Sequence, residues 1–343
     1  MLLLRDAQRR DLPALGKLAA ELDSVNLPAR ARELRAIVDR SCRSFAGRIR
    51  DPLARSYVFV LEEPRAGRIL GTSMIIAQHG TRDSPCTFFD VSEREHYSST
   101  LDRYFTHRVL SIGYHFDGPT EIGGLVVRSR DRGGPSRPGK QLAYVRLLYV
   151  AMHRDRFRPK LLAELMPPLL PDGRSRFWES CGKRFTGLAY KDADRRSRQN
   201  KEFIQQLFPP GDLYATLFPR RVQRALGAVG PAAAGVRHLL ERVGFRYVDR
   251  IDPFDGGPHY EAAVEEVTLV RAYRRLRVAS RDLAPDSGDE ELLVAAERGE
   301  GRTRFRAVLT PARARGGELA LPRAARDRLR VGPGARVHAV PFP

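Results

Sequence analysis

Hydrophobic and polar positions along the chain change their period several times, and each change marks an element. LLLR at the start is a short apolar run of strand type. In DLPALGKLAAEL, Leu15, Leu18, Ala19 and Leu22 recur at helical spacing, with Asp11 placed as N-cap and Pro13 in the first turn. After the turn-like SVNLP (24–28), a second helix puts Leu34, Ile37, Val38, Ser41, Cys42 and Phe45 on one face. SYVFVLEE (56–63) and RILGTSMIIAQ (68–78) are instead rich in β-branched and aromatic residues, and PRAG between them suits a short hairpin. RVLSIG (108–113) and EIGGLVV (121–127) predict two further strands.

Helical spacing returns after Lys140, where Leu142, Val145, Leu148, Tyr149 and Met152 share a face. KLLAEL (160–165) predicts a short buried strand, and FWESCGKRF (177–185) a helix closed near Gly182. VRHLLERVGF (236–245) repeats the helix–Gly–aromatic pattern ahead of RYVDRIDPFDGGP. The order β-α-α-β-β-β-β-α-β-α predicts an α/β (α+β) fold whose mixed, mostly antiparallel sheet is flanked by helices. RDLAPDSGDEE (281–291) is polar and acidic, which places a main domain at 1–275, a linker at 276–291 and a small module at 292–343. In that module TRFRAVLT and ARVHAVPF alternate around one short helix, so it is expected to be β-rich.

The chain has 343 residues and a net charge of +19, from 60 Lys and Arg against 41 Asp and Glu. These charges are spread along the whole length, and no DNA- or RNA-binding signature accompanies them, so nucleic acid is not the expected partner. A basic surface also suits a polyanionic small ligand. No apolar run reaches membrane-spanning length, and MLLLRDAQRRD is broken by charge too early for a secretory signal, so a cytoplasmic protein is expected. Cys42, Cys86 and Cys181 form no CxxC pair, and no metal site is expected.

LVVRSRDRGGPSRPGKQ (125–141) carries the chemistry. A strand that enters a glycine-rich loop and reopens as a helix presents amide hydrogens and the positive end of a helix dipole to an anion. Gly133, Gly134 and Gly139 allow close approach, and Arg130, Arg132, Arg137 and Lys140 add charge. Lys140 precedes Gln141 where a P-loop has Ser or Thr, and the flanking strands do not alternate with helices as in a dinucleotide fold. In the GNAT acyltransferase superfamily the pyrophosphate of coenzyme A lies on an R-x-x-G-x-G/A loop after the fourth strand, the position this loop occupies.

Over about residues 4–262 the chain resembles the arginine N-succinyltransferase family, with a weaker echo in the C-terminal module. The resemblance rests on YVFVLEE (57–63), TEIGGL (120–125), SRFWESCGKRF (175–185), KEFIQQLFP (201–209) and GFRYVDRIDPFDGGP (244–258), with NLP (26–28), AEL (163–165) and YATL (214–217) beside them. It implies a GNAT-like fold, succinyl-CoA as donor, and direct attack by the α-amino group of arginine or ornithine. It also implies a donor contact at Leu125. The expected donor-binding set is Leu125, Val126, Val127, Arg132, Gly134, Gly139, Lys140 and Gln141.

The sequence departs from the family in three places. The loop has extra residues and one glycine fewer. Met166 stands where the family has an arginine, and Gly230 where it has its proton-donor histidine. Acyl transfer to an amine needs a neutral amine, a polarised carbonyl and a proton for the leaving thiolate. With glycine at 230, the candidates for proton transfer are Glu121, on the strand that feeds the loop, Glu164, on the strand at 160–165, and His259, after DGGP. Asp252 and Asp255 suit an ammonium or guanidinium, and equally suit turn capping. His238 and Cys181 read as structural. The departures leave open a different amine or acyl donor, or a silent subunit, and the chain is expected to assemble as a homo-oligomer or with a homologous subunit.

Overall fold

The computed structural model describes residues 1–22, 27–28, 30–82, 84–197, 202–284, 287–299, 301 and 303–343, so most of the turn expected at 24–28, and Lys201, lie outside the described residues. The strands of the first half are β1 (Leu3–Asp6), β2 (Ser56–Glu63), β3 (Arg68–Ile76), β4 (Cys86–Ser98), β5 (Arg103–His115) and β6 (Thr120–Val127). β7 (Lys160–Glu164), β8 (Leu213–Tyr214), β9 (Arg246–Ile251) and β10 (Pro258–Ala263) follow. The last five are β11 (Arg274–Val278), β12 (Glu290–Glu297), β13 (Phe305–Arg315), β14 (Glu318–Ala320) and β15 (Arg336–Pro341). The long helices are α1 (Leu12–Leu22), α2 (Ala31–Phe45) and α3 (Pro138–Met152). None of the described helices is long and apolar enough to cross a membrane.

The chain divides into two compact units. Residues 1–78, 120–159 and 263–343 form the first, and 79–119 with 160–262 the second. In the first unit the strand order is β12-β15-β11-β14-β13-β1-β2-β3-β6. β12 also pairs with β13, which closes the last five strands into a ring around Val294, Val308, Leu319, Leu329 and Val337. Leu4 pairs with Ala307 and Arg5 with Arg306, so that ring continues directly into the N-terminal sheet. Of the stretch expected as a linker, 276–278 is the end of β11 and 290–291 the start of β12.

α1 and α2 bury Leu15, Leu18, Leu34 and Val38 against Val58, Val60, Met74 and Val126 of the same sheet. α3 differs from its expectation. Instead of one apolar face, every residue from Gln141 to Ala151 is buried, because the helix touches β2, β3 and β6 as well as β12 and β15. A helix covered on all sides has no polar face to expose.

In the second unit the order is β7-β10-β9-β4-β5-β8. β4 was not expected from the sequence. It pairs with β5 from Cys86↔His115 to Ser98↔Arg103, a ribbon of 13 residues per strand. The core joins Phe89 and Leu110 of that ribbon to Phe177, Trp178, Ile251 and Phe254. The single helix expected at 177–185 is two short ones, Arg176–Ser180 and Gly182–Thr186. They break at Cys181, whose backbone is not helical, and residue 182 is a glycine where a Cβ would lie 2.3 Å from the Trp178 indole. Burial pushes the Cys181 thiol up to about 12, in keeping with an inert core cysteine.

Candidate active site

In the first unit the basic loop leaves β6 and enters α3 as the sequence predicts. β6 contains a further feature. Val126 pairs with Thr72 and Gly123 with Met74, so Gly124 and Leu125 oppose the single residue Ser73. This is a β-bulge, made possible by Gly124 at φ +57°. A bulged residue turns its backbone groups out of the regular ladder, which is what a strand needs in order to offer them to a ligand. Leu125, at the bulge, is half-buried, while Val126 and Val127 are buried.

Beyond β6, Gly133 takes a left-handed turn, and Arg137 caps α3 at φ +49° with Pro138 as its first residue. A Cβ on Gly134 or Gly139 would meet nothing closer than 3.8 Å, so the loop is open at both glycines. The loop's cations are already organised. Arg132 Nε donates to the Val127 carbonyl at 2.9 Å, and Gln141 Nε2 donates to that of Ser136 at 2.6 Å. Arg137 forms a fork with Glu291 of β12, at 2.5 and 2.7 Å, while Lys140 lies 4.5 Å from the centre of the Phe342 ring. A cavity of about 460 Å³ opens between Arg68, Arg130, Gly134, Ser136 and Arg137.

Glu121 is in β6 and 1% exposed. On α3, Arg146 is equally buried, donates to the Gly123 and Ala143 carbonyls, and feels the charge of Glu121. Burial lowers the Arg146 pKa to about 9, and the nearby carboxylate opposes that shift. This position fits a carboxylate that balances a buried cation better than one that accepts protons from a ligand.

The second unit brings together residues from four distant parts of the chain. β7 ends at Glu164, and the amide of Leu165 donates to the Pro258 carbonyl at 3.1 Å, which sets β10 alongside. His259, the second residue of β10, is 1% exposed, and its Nε2 lies 3.6 Å from Glu164 Oε1. His79 Nε2 approaches the same oxygen to 3.8 Å. The glycines of DGGP just before His259 favour a turn. The strand that begins at Pro258 buries it instead.

Asp252 and Asp255 are next to this group but are also committed to their turn. Asp252 Oδ1 accepts the amides of Phe254 and Asp255 at 2.7 and 3.1 Å, and Asp255 Oδ1 accepts that of Gly257 at 2.7 Å. Burial raises the Asp255 carboxyl well above the usual range, and the charges of Asp252 and Glu164 raise it further. His79, Cys86 and Glu164 form one set of possible metal donors and Glu164, Asp252 and His259 another, each with ligand atoms within 4.8 Å. Because Asp252 Oδ1 already serves two amides, we read the cluster by its acid–base chemistry. Sequence reasoning missed His79 and Cys86. Each is an isolated residue more than 75 positions from Glu164, and no spacing links them. His238 is on the surface of its helix, 3.7 Å from Glu241.

Gly230 adjoins the same strand end, where its amide donates to the Met166 carbonyl at 2.8 Å. A Cβ there would lie 2.5 Å from the Pro167 carbonyl oxygen, so the backbone has closed over the space a side chain would need. Gly230→His is therefore expected to destabilise the protein by about 1–3 kcal/mol through overpacking, without a gain in turnover. Urea unfolding and steady-state rates check this; a stable and faster variant would show that the position still accepts a working histidine.

Comparison with known proteins gives a consistent result. The family model described as "Arginine N-succinyltransferase beta subunit" matches residues 2–269, and that of its C-terminal domain matches residues 274–341. The chain is 31% identical over 343 residues to an arginine N-succinyltransferase of Escherichia coli, covering 99% of this chain and 97% of that protein. A Shigella dysenteriae arginine N-succinyltransferase is likewise 31% identical over 345 residues. The structure of arginine/ornithine succinyltransferase subunit AI from Pseudomonas aeruginosa superimposes with a TM-score of 0.84 at 29% identity, covering 100% of this chain and 99% of that one. With both its sequence and its fold matched from end to end, the chain belongs to the arginine N-succinyltransferase family.

Proposed function

We propose that this chain is a cytoplasmic enzyme that transfers the succinyl group of succinyl-CoA to the α-amino group of arginine or ornithine, by direct attack in a ternary complex. The observation that carries this reading is the convergence of Glu164, Asp252 and Asp255 beside His79 and His259, an acidic cluster in a chain of net charge +19. Such a cluster suits a cationic acceptor. An incoming ammonium also relieves the repulsion among these carboxyls, which adds to the rise that burial gives the Asp255 carboxyl.

The reaction needs few groups. Glu164 holds the acceptor's ammonium, and His259 takes the proton that must leave before nitrogen can attack. The amine nitrogen then bonds to the thioester carbonyl carbon, and the carbonyl oxygen becomes the oxyanion of a tetrahedral intermediate. Collapse breaks the carbon–sulfur bond, and the nitrogen, cationic after attack, releases its remaining extra proton to solvent as the amide forms. The coenzyme A thiol is acidic enough to depart as thiolate with little help, which lets the reaction run without the histidine that Gly230 replaces. On the donor side, Leu125 meets the pantetheine amides, and Arg132, Gly134, Gly139, Lys140 and Gln141 surround the pyrophosphate.

Thiol release from succinyl-CoA and acetyl-CoA, each with arginine, ornithine or water alone, tests the reading. Release that requires both succinyl-CoA and a basic amino acid is expected; none with any amine would refute it. Gly230 is the one observation that favours a silent subunit, and tight donor binding without turnover would select that alternative. Replacing Arg132 and Lys140 together with alanine should raise the donor KM about tenfold and leave the acceptor KM within about twofold. An unchanged donor KM would remove the loop from the donor site.

A further inference from the structure

Cys86 takes no part in acyl transfer, yet its thiol belongs to the acid–base cluster. Ligand atoms of His79, Cys86 and Glu164 lie within 4.8 Å of one another, and all three residues are in the second unit. Cys86 is buried, while His79 and Glu164 are partly covered.

The backbone fixes each of these donors. The His79 amide donates to the Pro119 carbonyl at 2.8 Å. Gly80 follows at φ +86°, and a Cβ there would lie 2.6 Å from the Cys86 amide nitrogen, so a glycine is what lets residues 79 and 86 come together. Cys86 opens β4, paired with His115, and Glu164 closes β7. Donors held on strand ends need little reordering when an ion arrives.

Their spacing and chemistry name the ion. Glu164 Oε1 is 3.8 Å from His79 Nε2 and 3.6 Å from His259 Nε2. Both separations exceed a hydrogen bond. They are close to the roughly 3.4 Å between neighbouring ligands of a tetrahedral ion with bonds of about 2.1 Å. Imidazole, carboxylate and thiolate are all zinc ligands, whereas magnesium and calcium prefer oxygen throughout. The other donor set has no sulfur, and it depends on Asp252 Oδ1, which already accepts two amides.

We propose that His79, Cys86 and Glu164 bind a zinc ion, with His259 or water in the fourth position, and that this ion and the amine acceptor exclude each other. Binding releases the Cys86 proton to solvent, since the thiolate is the ligand. The exclusion rests on the acceptor reading given above. A Glu164 carboxylate that ligates zinc no longer holds an ammonium, and the dication repels one.

Cobalt(II) titrated into the full, reduced chain tests the site, because a thiolate ligand gives a near-ultraviolet charge-transfer band that needs no turnover. The expected band saturates at one ion per chain and is bleached by zinc. Cys86→Ser should abolish it, and His79→Gln should weaken zinc binding at least about tenfold, read by competition with a chromophoric chelator. Cys42→Ser should leave both unchanged. Circular dichroism melts without metal check that the variants fold. An absent band, or zinc affinity indifferent to both Cys86→Ser and His79→Gln, overturns the site whatever the rate of turnover. In kinetics, zinc should raise the acceptor KM and leave kcat unchanged. A bound ion that leaves the acceptor KM unchanged would refute the exclusion, and with it Glu164 as the partner of the ammonium.

Discussion

Glu164→Gln and His259→Gln are each expected to lower kcat by about a hundred- to ten-thousand-fold, with the donor KM changed by no more than about twofold. The argument is geometric. Glu164 Oε1 stands 3.6 Å from His259 Nε2 and 3.8 Å from His79 Nε2, so one carboxylate oxygen serves two imidazoles. Glutamine keeps the shape and removes the charge that grips an ammonium. Loss of that charge acts on the amine and on its proton together, so the effect falls on turnover. Because the two residues act as a unit, the double variant should be little slower than the worse single one. His79→Gln should cost less, since the buried His259 takes the proton in the proposed mechanism. Steady-state kinetics at saturating donor decide it. Glu164→Gln within about threefold of the parent would exclude the cluster from the chemistry.

Which parts of the fold were legible follows from which parts are covered by protein. β2 was read to its exact bounds, and β3 nearly so, because both are buried along most of their length and rich in β-branched residues. β4 was missed because its outer half, EREHYS, is exposed and stands on a ribbon that pairs only with itself there, leaving little period-2 pattern to detect. The continuity of the C-terminal ring with the N-terminal sheet depends on two residue pairs, Leu4 with Ala307 and Arg5 with Arg306, from opposite ends of the chain, which no local pattern encodes. For the site the division is similar. The loop at 128–140 announced itself through its glycines and arginines, and Gly123–Gly124 was the available signal for the bulge. Glu164 and His259 were named separately, but their meeting depends on the placement of β7 beside β10, and His79 came with no signal at all.

Glu121→Gln is expected to destabilise the protein by about 3–5 kcal/mol, because it leaves the Arg146 guanidinium buried without its compensating charge. Arg146 is 2% exposed, and two long hydrogen bonds to carbonyls, at 3.2 and 3.3 Å, do not replace a carboxylate. Adding Arg146→Met should recover most of the loss, since removing both charges removes the penalty rather than the stability. The pair of variants also separates the two roles open to Glu121. A charge-balancing carboxylate predicts a fall in the urea midpoint, with kcat per folded molecule preserved in the double variant. A general base predicts a well-folded variant whose kcat collapses and is not rescued by Arg146→Met. The burial of both residues within one unit favours the first outcome, and the second would return Glu121 to the catalytic set.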